Sequence, residues 1–110
     1  MKISLLGFDG CPLTPLMKRR LEQAISQFEQ HLELIQIDQH ALDASDLRRG
    51  YPAPTILVNG SDLFGMPPPT SPSMGCRMYD GPDGVPSIDD LVARLRVAPN
   101  IDASTEESDG

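Results

Sequence analysis

Cys11 and Cys76 are the two side chains of this 110-residue sequence with the most reactive chemistry. Cys11 stands in Gly10-Cys11-Pro12-Leu13-Thr14-Pro15. Asp9 and Gly10 interrupt the chain, and Thr14-Pro15 reads as a helix start. A threonine hydroxyl can cap free N–H groups, and proline at the first helical position lacks an N–H that would be unpaired anyway. A thiol just ahead of such a start meets free N–H groups and the positive end of the helix dipole. Both stabilise a thiolate, which is the nucleophilic form of cysteine. Cys11 is therefore expected to attack sulfur or bind a soft metal, against the plainer reading of a small residue in a turn. Pro12 stiffens the approach. Thr14 is expected to cap the helix in preference to acting on the thiolate.

Cys76 opens Cys76-Arg77-Met78-Tyr79. Arg77 beside it reads as a solvated charge, or as a partner for the thiol or for a substrate carboxylate. Met66, Met74 and Met78 surround it in sequence. They offer soft ligands for Cu(I) or Hg(II), although methionines more often pack beneath a loop. His31 and His40 lack ligand spacing and read as surface residues. Four ligands at zinc-finger spacing are missing, and no cofactor is expected.

The elements that must position these residues follow from pattern. Residues 2 to 6 read as a short strand, broken by Gly7, Asp9 and Gly10. Leu21, Ala24, Ile25 and Phe28 recur at helical spacing, which predicts a helix to about Gln30. Residues 32 to 38 place apolar side chains on both faces, which suits a strand covered on both sides. Residues 41 to 48 form a short helix or turns, stopped by Gly50. Thr55 to Val58 is a strong strand, and Pro54 fits its entry. Asn59-Gly60 is the best hairpin signal in the chain. Residues 61 to 64 return, a proline-rich loop covers 65 to 75, and Cys76 to Tyr79 is a brief extended piece. Another turn spans Asp80 to Pro86. Ser87 caps a last helix presenting Ile88, Leu91, Val92 and Leu95 on one face, with Pro99 ending it. The chain divides into one domain over 1–98 and a disordered acidic tail over 99–110.

Composition narrows the function classes. The formal net charge is -7 and the isoelectric point is near 4.5. Nucleic acid and anionic membranes both favour a basic surface. No apolar run approaches the length of a bilayer span, and residues 1 to 10 are unlike a signal peptide. The expected setting is the cytoplasm, where two cysteines point to redox, catalysis or metal binding more than to a structural staple.

The order of elements and four local patterns carry a resemblance. The patterns are Gly10-Cys11-Pro12-Leu13-Thr14, then Pro54-Thr55-Ile56-Leu57-Val58-Asn59-Gly60, then Cys76-Arg77-Met78-Tyr79, and last Pro86-Ser87. Over roughly residues 2 to 97 the sequence resembles the thioredoxin-like superfamily. More narrowly, it resembles small bacterial members that have a G-C-P-x-T opening and no clear function. The resemblance implies an α/β fold with a four-stranded mixed sheet and helices on both faces. It implies a cis-proline at Pro54 facing Cys11, and an exposed Ala53 backbone that pairs with extended thiol substrates. The departure is large: the usual C-x-x-C is Cys11-Pro12-Leu13-Thr14, so the second cysteine is absent, and no tryptophan precedes Cys11.

The placement of Cys76 has two layouts. A tight hairpin at Asn59-Gly60 brings the returning strand and the loop toward the Cys11 end; a long tip over 60 to 75 puts Cys76 at the far end. The hairpin signal favours the first. The expected function is thiol–disulfide exchange on a protein or small-molecule substrate, with Cys11 as nucleophile and Cys76 as resolving thiol. The alternatives are a soft-metal binder using both thiolates, or a partner-binding scaffold in which neither cysteine is needed.

Overall fold

The computed structural model describes residues 2–73, 75–79 and 83–97. Met74, part of the Asp80 to Pro86 turn, Pro99 and the tail expected over 99–110 lie outside the described residues. Among the described residues, four strands form one mixed sheet: β1 Lys2–Gly7, β2 Glu33–Asp38, β3 Thr55–Val58 and β4 Ser61–Asp62. Their order across the sheet is β2-β1-β3-β4. β1 runs parallel to β2 and antiparallel to β3, and β4 returns antiparallel to β3. The fold is α/β.

The two strands in the middle are the most apolar, because both their faces are covered. Ile3 and Leu5 of β1 and Ile56 and Val58 of β3 join one core with Met17, Leu21, Leu91 and Leu95. Leu6 and Leu57, one residue out of phase, join a smaller core with Tyr51. This is the period-two alternation of a pleated strand with two buried faces. β2 differs from its expected burial. It is an edge strand whose Leu34, Ile35 and Ile37 are half-buried and whose Glu33, Gln36 and Asp38 are exposed.

Helix α1, Thr14–Ile25, and helix α2, Ile88–Val97, both pack on the Ile3/Leu5 face and touch one another. Helices on both faces were expected, and the second face instead carries two short 3-10 turns, Gln39–Ala41 and Leu47–Gly50. The acidic side chains before and between them account for this. Asp38 accepts from the N–H of His40, Asp43 from that of Ser45, and Asp46 from that of Arg48. Such bonds two residues apart offer the backbone turns in place of a helix. The fully buried Gln39 then joins the turns, donating its amide to the carbonyls of Arg48 and Tyr51 at 3.0 and 2.8 Å.

α1 also stops earlier than its apolar spacing suggests. Gln27 and Phe28 donate to carbonyls three residues back, those of Ala24 and Ile25. The tighter turn closes the helix while keeping Phe28 against the core. Ser87 caps α2 as expected: its hydroxyl accepts the Asp90 N–H at 3.0 Å and its carbonyl accepts that of Leu91. The turn before α2 is held to α1 by Arg20, which ion-pairs with Asp83 and donates to the carbonyls of Val85 and Pro86.

The hairpin is tight. Asn59 and Gly60 have φ of 51° and 95°, the left-handed pair of a two-residue turn that matches strand twist. Leu91 is fully buried where α2 meets α1 and the sheet. Leu91→Ala is expected to lower stability by about 2–5 kcal/mol through lost transfer energy and the remaining cavity. Urea unfolding should show a lower midpoint with an unchanged slope.

Candidate functional site

The register of the central strands gathers the chemistry at one end of the sheet. Leu6, near the exit of β1, pairs with Thr55, the first residue of β3. The segments that continue from these residues carry Cys11 on one side and Ala53-Pro54 on the other.

Cys11 is a free thiol with 4% of its surface exposed. Its N–H donates to the Phe8 carbonyl at 3.0 Å, and its carbonyl accepts from Thr14 at 3.4 Å. A turn thus seats it ahead of α1. Leu13 takes the cap position, and no side chain caps the helix there. The capping role expected of Thr14 is not the one observed. Thr14 is the first helical residue, 5% exposed, and its hydroxyl has no partner among the described residues. Its side chain is turned onto the end of β1. A Cβ on Gly7 would stand 2.5 Å from Thr14 Cγ2 and 2.7 Å from its Oγ1, so only glycine allows this approach.

Cys11 and Thr14 line a cavity of about 400 Å³ together with Asp9, Lys18 and Asp38. Phe8, also in the wall, stacks on His40 with ring centroids 5.2 Å apart. Pro12 is exposed beside Cys11. Both histidines are exposed, and His40 meets the site through this ring contact and through its N–H, which donates to Asp38.

The Ala53–Pro54 peptide is cis, and both residues are buried. The Ala53 backbone is already engaged. Its N–H donates to the Gly75 carbonyl at 2.9 Å, and its carbonyl accepts from the Arg77 N–H at 2.7 Å. Cys76, between those two residues, pairs with Ala53 in a parallel bridge and is an exposed free thiol. Of the two layouts for Cys76, the tight hairpin is the one adopted, and Cys76 lies on the cis-proline edge. Among the described residues, no group of three or more His, Cys, Asp or Glu side chains could hold a metal ion.

Sequence reasoning missed what holds Cys76 there. The strap of residues 75–79 is fastened by Arg77 and Tyr79. Arg77 donates to Asp62 Oδ1 at 2.9 Å and Oδ2 at 3.4 Å, and its guanidinium lies 4.3 Å from the Tyr79 ring centre. The Asp62 carboxylate is fully buried and also accepts the N–H groups of Phe64 and Met66 at 2.9 Å. The Tyr79 hydroxyl donates to the Pro54 carbonyl at 2.7 Å. The available signal was Asp62 itself, an acid two residues after the turn, on a strand that had to return across β3. Arg77 is thus an anchoring charge, not a solvated one.

Two expected outcomes follow. Asp62→Ala leaves Arg77 largely buried without its counter-ion and two N–H groups without an acceptor. A loss of about 3–5 kcal/mol is expected in urea unfolding, typical of a broken buried pair. The second outcome concerns alkaline pH. Burial raises the Tyr79 phenol well above its ordinary 10.0, with Asp62 adding to the shift and Arg77 opposing it. A raised folded-state value means the contribution to stability is complete below pH 10 and is lost as pH rises through the folded value. The Tyr79 phenol of native protein is therefore expected to stay un-ionised at pH 10, read as the difference in phenolate absorbance between wild type and Tyr79→Phe, whereas in the unfolded chain it titrates there. Tyr51 is the one other phenol and there is no tryptophan, so the Tyr79→Phe difference isolates Tyr79. Tyr79→Phe should flatten the fall of stability above pH 10.

Compared with protein-family models, curated proteins and solved structures, this chain matches none.

Proposed function

We propose that the chain is a thioredoxin-like thiol–disulfide exchange protein with Cys11 as its nucleophile. One observation carries the reading. The pairing of Leu6 with Thr55 brings a thiol seated ahead of α1 and a cis Ala53–Pro54 peptide to the same end of a mixed sheet. The element order β-α-β-β-β-α and the sheet order β2-β1-β3-β4 support it.

In this chemistry the Cys11 thiolate attacks one sulfur of a substrate disulfide. The substrate S–S bond breaks, a Cys11–substrate S–S bond forms, and the departing thiolate takes a proton from water. Thr14 stands where a second cysteine would otherwise resolve this mixed disulfide, so the resolving thiol comes from elsewhere. Cys76 is the candidate within the chain. Its thiolate attacks the Cys11 sulfur, releases the second substrate thiol and leaves a Cys11–Cys76 disulfide. Two electrons from an external dithiol restore both thiols. The closing step needs the two Cα atoms within about 7 Å.

The test is turnover of a disulfide substrate with a dithiol donor, followed by intact mass. Cys11→Ser is expected to lower turnover by about a hundredfold or more, as for loss of a nucleophile. Cys76→Ser is expected to accumulate a mixed disulfide on Cys11. Full activity in Cys11→Ser would overturn the proposal. Undiminished turnover by Cys76→Ser, without trapped adduct, would assign resolution to an external thiol.

A further inference from the structure

We infer that the disulfide met by Cys11 is a low-molecular-weight one, of amino-acid size and bearing both an ammonium and a carboxylate, and not one set in an extended polypeptide. This rests on the thiol-exchange reading above and narrows its substrate class.

The first observation is the occupied backbone of Ala53. An extended peptide adds to a strand through unpaired main-chain N–H and C=O groups. At Ala53 both are taken by Gly75 and Arg77. The strap bearing them is secured by the Arg77–Asp62 pair and by the Tyr79 hydroxyl on Pro54. A polypeptide would have to displace it. A small disulfide that enters beside α1 would not.

The second observation is the cavity itself. Cys11 is 4% exposed, which suits a compact reagent better than a folded surface. The cavity volume of about 400 Å³ lies within the range of small-molecule sites. Thr14 lines it and is 5% exposed, with a hydroxyl that has no partner among the described residues. A buried hydroxyl left unpaired is costly, and a χ1 rotation of Thr14 away from Gly7 would offer it to a polar ligand atom.

The third observation is the sign of the walls. Lys18 lines the cavity without an ion-pair partner among the described residues. Asp9 and Asp38 line it too, and one Asp38 oxygen already accepts the His40 N–H. One cation and two carboxylates match a ligand carrying a carboxylate and an ammonium. A dianionic disulfide would meet a wall of net negative charge.

The step balances within the two reactants. The Cys11 thiolate displaces one half of the small disulfide as a thiolate, which is protonated by water. Cys11 and the retained half are left joined by a new S–S bond.

The test follows Cys11 adducts by intact mass and peptide mapping. Fully reduced protein meets three probes: cystine, the neutral bis(2-hydroxyethyl) disulfide, and an extended peptide with a mixed disulfide at its central cysteine. Each rate is divided by that of the same probe with the urea-unfolded chain, which cancels intrinsic reactivity. Cystine is expected to exceed the neutral probe by about three- to tenfold, the scale of two partly exposed ion pairs. The peptide is expected to fall below both. Lys18→Gln should remove most of the cystine preference, read as the ratio of the cystine rate to the neutral-probe rate in the same variant. Tyr79→Phe keeps the ring but loses the bond to Pro54, and should speed the peptide alone. A peptide rate equal to that of cystine would overturn this inference and leave the exchange reading standing. Probes that all modify the unfolded chain, yet never native Cys11, would overturn the exchange reading and the inference with it.

Discussion

The buried carboxylate of Asp62 sets much of the geometry around the candidate site. A carboxylate taken out of water is costly unless charge and donors replace its hydration. Asp62 meets that demand with the guanidinium of Arg77 and the N–H groups of Phe64 and Met66. These partners come from two separate stretches of chain. The segment after β4 must curl back over the carboxylate, and the strap must cross to it. Once Arg77 is there, its own N–H meets the Ala53 carbonyl, and Tyr79 reaches Pro54. A single buried charge beyond the hairpin thereby fixes what lies along the cis-proline edge.

The contrast between the two cysteines follows from this arrangement. Cys11 belongs to the turn that links β1 to α1 and is buried there, just ahead of the Thr14 that Gly7 lets close against the strand end. Cys76 belongs to the strap and is exposed because its neighbours, not its own side chain, make the fastening contacts. The proposed exchange chemistry divides naturally between them: a sheltered attacking sulfur with shaped walls, and an accessible one on a strap fastened by its neighbours. The buried, unpaired hydroxyl of Thr14 fits the first of these settings and contributes nothing to capping the helix.

The parts of the fold that were legible in the sequence are those set by local rules. Asn59-Gly60 forms its turn because both positions take left-handed φ, and Ser87 caps α2 because its hydroxyl meets the Asp90 N–H. The strand and helix cores follow from the spacing of Ile3, Leu5, Leu21 and Leu91. What pattern could not give was set by competition or by distant partners. Thr14 and Pro15 read as cap and first residue, yet packing on Gly7 moved the helix start one residue earlier. The acidic side chains of 38–46 diverted a helix-sized segment into turns, so both α helices share one face. β2 has apolar residues on both sides, which an edge position also satisfies. At the site, the types of Cys11, Pro54 and Cys76 were plain, but the pairing of Ala53 with residues 75 and 77 depends on a charge pair spanning 15 positions.

The brevity of β4 has a further consequence. With Ser61 and Asp62 paired and the Leu63 N–H on the Ile56 carbonyl, the chain after the hairpin covers β3 as far as Ile56. Unpaired main-chain groups along a sheet edge are a template for strand addition by another molecule, and natural sheets blunt them with charge, twist or a covering segment. On the opposite edge, β2 presents Glu33 and Asp38 to solvent, and like charges there oppose edge-to-edge stacking. On the β3 side, the same Gly75 and Arg77 bonds that occupy Ala53 close the opening from within. The strap thus occupies main-chain groups at Ala53 that would otherwise be open to strand addition.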